Sequence, residues 1–144
     1  MRAPSFTLFI LPLLVSACTL KPAGPPLAAV SGTVTWKGQP LSGAQVHFRP
    51  IGDTRGSGAS GRTRSDGTYT LEARGGAGAT AGEYKVVISK LVMEDGTPLP
   101  EDGSVTDADV ATREILPAYY SLFESTKLSV TVPEEGGTFN FDLK

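Results

Sequence analysis

The stretch Thr63-Arg64-Ser65-Asp66-Gly67-Thr68-Tyr69-Thr70-Leu71 constrains the fold more than any other. Asp-Gly is a strong hairpin signal, because glycine takes φ > 0 without steric cost and aspartate tolerates it. Asp66-Gly67 therefore reads as a tight turn between two strands. Tyr69 and Leu71 then share a face that the remaining chain has to cover.

The rest of the chain supplies that cover by strict alternation, the mark of half-buried strands. Val30, Gly32, Val34 and Trp36 fall on one parity. Ala44, Val46 and Phe48 face inward while Gln45, His47 and Arg49 face outward. After a Gly/Ser loop over 50–60, a short strand is expected near 61–64, and Tyr69, Leu71 and Ala73 continue inward beyond the turn. Tyr84, Val86 and Ile88 point in, with Lys85, Val87 and Ser89 out. Leu128, Val130 and Val132, then Phe139, Phe141 and Leu143, complete the inward set. Seven short strands separated by turn signals predict an all-β sandwich or barrel. Gly32, on the inward parity, predicts a close approach by backbone or by a large neighbour such as Trp36 or Tyr69. Gly43 and Gly67 are expected at φ > 0. Tyr69 and Tyr84, at strand starts, can bury a ring while the hydroxyl reaches a loop carbonyl.

One long interruption, 91–115, is acidic: Glu94, Asp95, Glu101, Asp102, Asp107, Asp109 and Glu114 stand against Arg113 alone. It reads as a loop, with a short helix expected over 106–114. Leu116-Pro117-Ala118-Tyr119-Tyr120 is expected to re-enter as an edge strand, where a proline is tolerated. The acidic residues lack the D-x-[DN]-x-[DN]-G spacing of a calcium loop, and no metal site is predicted.

The beginning of the chain is a different kind of sequence. Arg2 and the apolar run from Phe6 to Val15 read as a secretory signal over 1–17, too short to span a bilayer. Val15-Ser16-Ala17-Cys18 resembles the lipobox of bacterial lipoproteins, which implies cleavage between Ala17 and Cys18 and a lipid on Cys18. Cys18 is the single cysteine, so no intrachain disulfide can form. Residues 18–29 are proline-rich and read as a tether, and 30–144 as the β-domain. Thr19 stands where an inner-membrane retention signal would have aspartate, which favours an outer membrane in a diderm cell. The expected location is the cell envelope, facing the periplasm or exterior.

Four motifs carry a resemblance in order: Val30-Ser31-Gly32-Thr33-Val34, Gly38-Gln39-Pro40-Leu41-Ser42-Gly43-Ala44, Ser65-Asp66-Gly67-Thr68-Tyr69 and Gly82-Glu83-Tyr84-Lys85-Val86. Together they resemble carboxypeptidase regulatory-like domains over about residues 30–90. The ending, with Leu116-Pro117, Tyr119-Tyr120 and Phe139-Asn140-Phe141, is similar to short lipoproteins of this type common in planctomycete bacteria. The resemblance implies a seven-stranded antiparallel sandwich with a transthyretin-like (prealbumin-like) Greek key. It also implies a non-catalytic accessory role.

Candidate chemistry is sparse. His47 lies on an outward strand face, where a catalytic base would lack the third group that orients it. Transthyretin-related hydroxyisourate hydrolases, a remote alternative, rely on several histidines, and this chain has one. Gly56-Ser57-Gly58-Ala59-Ser60-Gly61 matches G-x-G-x-x-G, but a strand rather than a helix follows it. Lys37 and Asn140 invite comparison with isopeptide-forming domains, yet both fall on the outward parity. Arg49, Arg55, Arg62 and Arg64 cluster against Asp53 alone, while the formal net charge is −2 and no basic stripe with interleaved aromatics suggests nucleic acid. Tyr119, Tyr120 and Phe123 could form a stacking edge for a carbohydrate or a protein. The expectation is a lipid-anchored, non-enzymatic envelope domain without cofactor. Its partners are the membrane, through the anchor, and an envelope protein or glycan.

Overall fold

The computed structural model describes residues 24–144, so the expected signal sequence, Ala17, Cys18 and the first part of the expected tether lie outside the described residues. The chain begins with β1 (Leu27–Ala28), β2 (Val30–Trp36), β3 (Gln39–Pro40) and β4 (Gln45–Pro50). It continues through β5 (Ala59–Arg62), β6 (Thr68–Thr70), β7 (Glu72–Ala73), β8 (Gly76–Ala77) and β9 (Ala79–Thr80). Then come β10 (Gly82–Ser89), β11 (Leu91–Met93), β12 (Thr112–Glu114) and the helix α1 (Ala118–Ser121). The last strands are β13 (Ser129–Val132), β14 (Gly137–Thr138) and β15 (Phe141–Leu143). The protein is all-β, with several antiparallel sheets.

The larger sheet runs β13-β10-β4-β5-β7-β8. The smaller one is built around β2, which pairs antiparallel with β3 and β6. On its other edge β2 pairs in parallel with β14 and β15, where the sequence resemblance implied antiparallel neighbours throughout. Period-2 alternation fixes which face a residue takes but not the direction of its neighbour, so this pairing is silent in the sequence.

The inward parity closes on one core. Val30, Val34, Tyr69, Phe141 and Leu143 come from the smaller sheet, and Val46, Phe48, Tyr84, Val86, Ile88 and Val132 from the larger. Phe48 is the meeting point: its ring centroid lies 5.8 Å from that of Tyr84, 6.0 Å from Phe139 and 6.3 Å from Phe141. Such tilted and edge contacts suit the aromatic quadrupole.

The Asp66-Gly67 turn differs from a two-residue hairpin. Gly67 N–H donates to Arg64 O, Arg64 N–H donates to Thr68 O, and Gly67 sits at φ 80°. This is a three-residue loop with glycine in the left-handed position. Asp66 Oδ1 accepts from the amide and hydroxyl of Thr68, which holds its carboxyl below the usual range. The turn also joins different sheets. β5 before it pairs with β4, whereas β6 after it pairs with β2. At Leu71 the chain crosses back, and β7 pairs with β5.

Four other expectations are corrected. Leu27 and Ala28, inside the span 18–29 expected as a tether, pair with Thr80 and Ala79. The strand expected over 61–64 lies instead at 59–62. No helix forms over 106–114. The ends of the acidic segment zip into an antiparallel pair, Leu91↔Glu114 to Met93↔Thr112, and Asp109 Oδ2 accepts from Thr106 in a local turn that competes with helix. Finally, Leu116–Tyr120 is not an edge strand. Pro117 starts α1, its carbonyl accepting from the amides of Tyr120 and Ser121, because a proline at a helix start forfeits no hydrogen bond.

Candidate binding groove

On β4 the residues between the core positions face the other way. β4 pairs with β5, and β5 with β7, so His47, Ser60 and Glu72 stand opposite one another in a row across three strands. This row floors an open groove of about 520 Å³ on the outer face of the larger sheet, also lined by Arg49, Ser57, Arg74 and Phe123.

Phe123 is brought there by the segment after α1, which lies over β10. Lys85 Nζ donates to Phe123 O at 3.3 Å and sits 4.9 Å from its ring centroid. The Arg49 guanidinium carbon is 5.4 Å from the same centroid. Two cations thus engage the π system of one ring, a favourable quadrupole contact. The overlying segment also accounts for Val87, which the alternation placed outward and which is nonetheless buried.

His47 is half-buried. Burial and the neighbouring Arg49 charge both hold its pKa below the ordinary 6.5, so the ring is neutral near pH 7. The order of the row matters for chemistry. Ser60 lies between His47 and Glu72, so the carboxylate flanks the serine instead of orienting the imidazole. That is the wrong order for a base held by a third group.

A second hollow, about 660 Å³, adjoins the first and shares Ser57, Gly58, Ala73 and Arg74 with it. Its other side is Gly24, Pro25, Pro26 and Leu27, where the described chain enters the domain. The glycine-rich 56–61 stretch owes its composition to close packing. A Cβ on Gly58 would stand 2.4 Å from Phe48 O, and one on Gly61 2.2 Å from Thr70 O.

The aromatic trio is split. Tyr119 is 48 % exposed and meets Tyr120 edge-on at 4.6 Å, next to Leu122 at 51 % exposure. The Tyr120 hydroxyl accepts from the Lys144 amide. Phe123 alone reaches the groove.

The structural residues lie at the opposite face. Tyr69 is 1 % exposed and donates its hydroxyl to Phe139 O at 2.6 Å; burial pushes its pKa well up. Tyr84 donates to Thr80 O at 2.6 Å. A Cβ on Gly32 would lie 1.8 Å from Phe139 O and 2.8 Å from the Tyr69 hydroxyl. Trp36 is half-buried with Lys37 Nζ 5.4 Å from its ring centroid, and its indole N–H has no partner among the described residues. Asn140 Oδ1 accepts from the Thr33 amide, 2.9 Å away. Asp102 Oδ1 accepts from the Ser104 amide in a local turn, and no group of three acidic, histidine or cysteine side chains converges among the described residues. No described helix is long and apolar enough to cross a membrane.

Sequence reasoning singled out His47 and Phe123 but missed Ser60, Glu72 and Arg74. Their relation to His47 depends on cross-strand register, for which a single strand's pattern carries no signal.

No family model matches the chain, and no curated protein matches it significantly. Among solved structures it is similar to a DUF3823 family protein of Parabacteroides merdae, at 17% identity and a TM-score of 0.38. That similarity covers 83% of this chain and 45% of the other, so the chain spans less than half of that protein's length.

Proposed function

We propose that the chain is a lipid-anchored, extracytoplasmic β-sandwich of the carboxypeptidase regulatory-like, transthyretin-like type, with a binding role and no catalysis. One observation carries the binding role: an open groove of small-molecule size on the outer sheet face, whose His47-Ser60-Glu72 row has the wrong order for nucleophilic chemistry. The anchor rests on Val15-Ser16-Ala17-Cys18, followed within a few residues by a chain entry that lines the adjoining hollow. A diacylglyceryl group with an added acyl chain gives stable attachment, where one chain is marginal.

Detergent-phase partitioning of the full chain from its native cells, with intact mass, tests the anchor. Acyl mass on Cys18 and recovery in the detergent phase are expected, and Cys18→Ser should abolish both. Wild-type protein wholly in the aqueous phase without acyl mass would overturn it. A glycan array with the same protein tests the binding role. A second reading, a protein- or glycan-binding edge at Tyr119, Tyr120 and Phe123, draws on the exposure of Tyr119 on α1 and of Leu122 just after it. Loss of array or pull-down signal in Tyr119→Ala, with signal retained in groove variants, would favour that reading.

A further inference from the structure

The groove on the larger sheet has a definite electrostatic sign, and we infer that it binds an anionic sugar unit, a hydroxylated ring carrying one carboxylate or phosphate, held by Arg49 and Arg74. This rests on the reading of the domain as a binding module and specifies its ligand chemistry.

Three observations lead there. The first is charge. Arg49 and Arg74 line the groove against Glu72, the one lining carboxylate, and Lys85 stands beside it under Phe123. The balance is positive in a chain whose formal net charge is −2. Guanidinium groups bind carboxylate and phosphate through paired donors, roughly twice as strongly as neutral hydrogen bonds.

The second is the aromatic wall. A neutral sugar would be recognised chiefly by stacking on aromatic rings, yet apart from the core ring of Phe48 the groove's lining offers one phenyl ring, Phe123, which already pairs with Lys85 and Arg49. Phe123 instead fixes Arg49 at the groove's edge, which limits the rotamer entropy lost when an anion binds.

The third is the supply of uncharged polar groups. Ser57, Ser60 and the neutral His47 ring offer donors and acceptors for hydroxyls around one anionic group. The volume of about 520 Å³ lies within the roughly 300–1,000 Å³ range of small-molecule sites. Glu72 opposes the anion and should weaken binding.

Titration calorimetry on the full chain in detergent, at low salt, tests this with three probes: methyl glucuronide, glucose 6-phosphate and the neutral methyl glucoside. At least one anionic probe should bind while the neutral glucoside does not, and the stronger of the two identifies the anionic group. Arg49→Gln/Arg74→Gln should weaken binding about tenfold or more, the loss of a charge-assisted hydrogen bond. Both residues are exposed, so the variant's melting temperature should match wild type and exclude misfolding as the cause. Glu72→Gln should tighten binding several-fold. Equal binding of the neutral probe, unchanged binding in the double variant, or no binding of either anionic probe would overturn the inference. If the anionic probes fail while a neutral glycan is captured on the array, the charge assignment falls and the binding role stands. If they bind a protein that lacks acyl mass, only the anchor falls.

Discussion

The two faces of β4 show how one strand serves two environments. On one side Val46 and Phe48 are sealed in the core; on the other His47 and Arg49 line an open groove. The sealed side is fixed by atoms that leave no room, with Gly32, Phe139 O and the Tyr69 hydroxyl in mutual contact. The open side is fixed by cross-strand register and by one phenylalanine in contact with the paired cations Lys85 and Arg49. Stability should therefore respond sharply to changes on the first side and weakly on the second, while ligand binding should respond the other way.

The largest effect should come from Gly32→Ala. The added methyl would overlap Phe139 O and displace the strand that closes the smaller sheet. A loss of more than about 4 kcal/mol in urea unfolding is expected, at the extreme end for a single substitution. A melt within a degree or two of wild type would show that the contact is loose and would break the contrast. Tyr69→Phe should be milder. It keeps the packing and removes the hydroxyl that satisfies Phe139 O, a cost of about 1–3 kcal/mol for a buried acceptor left without its donor.

The smallest effect belongs to the groove. The folded-state pKa of His47 lies below 6.5, so between that value and 6.5 the unfolded chain binds more protons than the folded one. Stability should rise with pH through this window, be fully present above it, and decline as the solution is acidified through it. His47→Gln should remove this portion of the pH dependence and leave the melting temperature near pH 8 unchanged. An unaltered acid slope in the variant would show that the ring is freely solvated.

The sealed face was largely legible in the sequence. Alternation identified Val34, Val46, Phe48, Val86, Ile88 and Leu143, because burying one face of a strand imposes a two-residue period. The hand-over between sheets at Leu71 left no trace, since 69, 71 and 73 keep the same parity whichever partner each strand takes. The β11–β12 pair and α1 were missed for another reason. Three- and four-residue elements are too short to establish a period, and Asp95, Asp102 and Asp109 close local turns within the segment between them. The groove was legible only in its parts. His47 and Phe123 stood out by residue type, but assembling them required a register that only the folded sheets define.

The parallel pairing of β2 with β14 and β15 has a kinetic consequence. The first long strand of the domain obtains a whole edge of its hydrogen bonds from segments about a hundred residues later. Loop-closure entropy must be met before those contacts form, which places such topologies among the slow folders, on the order of milliseconds to seconds. Until residues 137–143 arrive, β2 presents bare amides and carbonyls along that edge, and Tyr69 lacks the Phe139 carbonyl that accepts from its hydroxyl. A chain delivered from its N-terminus therefore passes through an interval in which an unpaired β-edge is open to other strands. How quickly the last residues follow the first decides how long that hazard lasts.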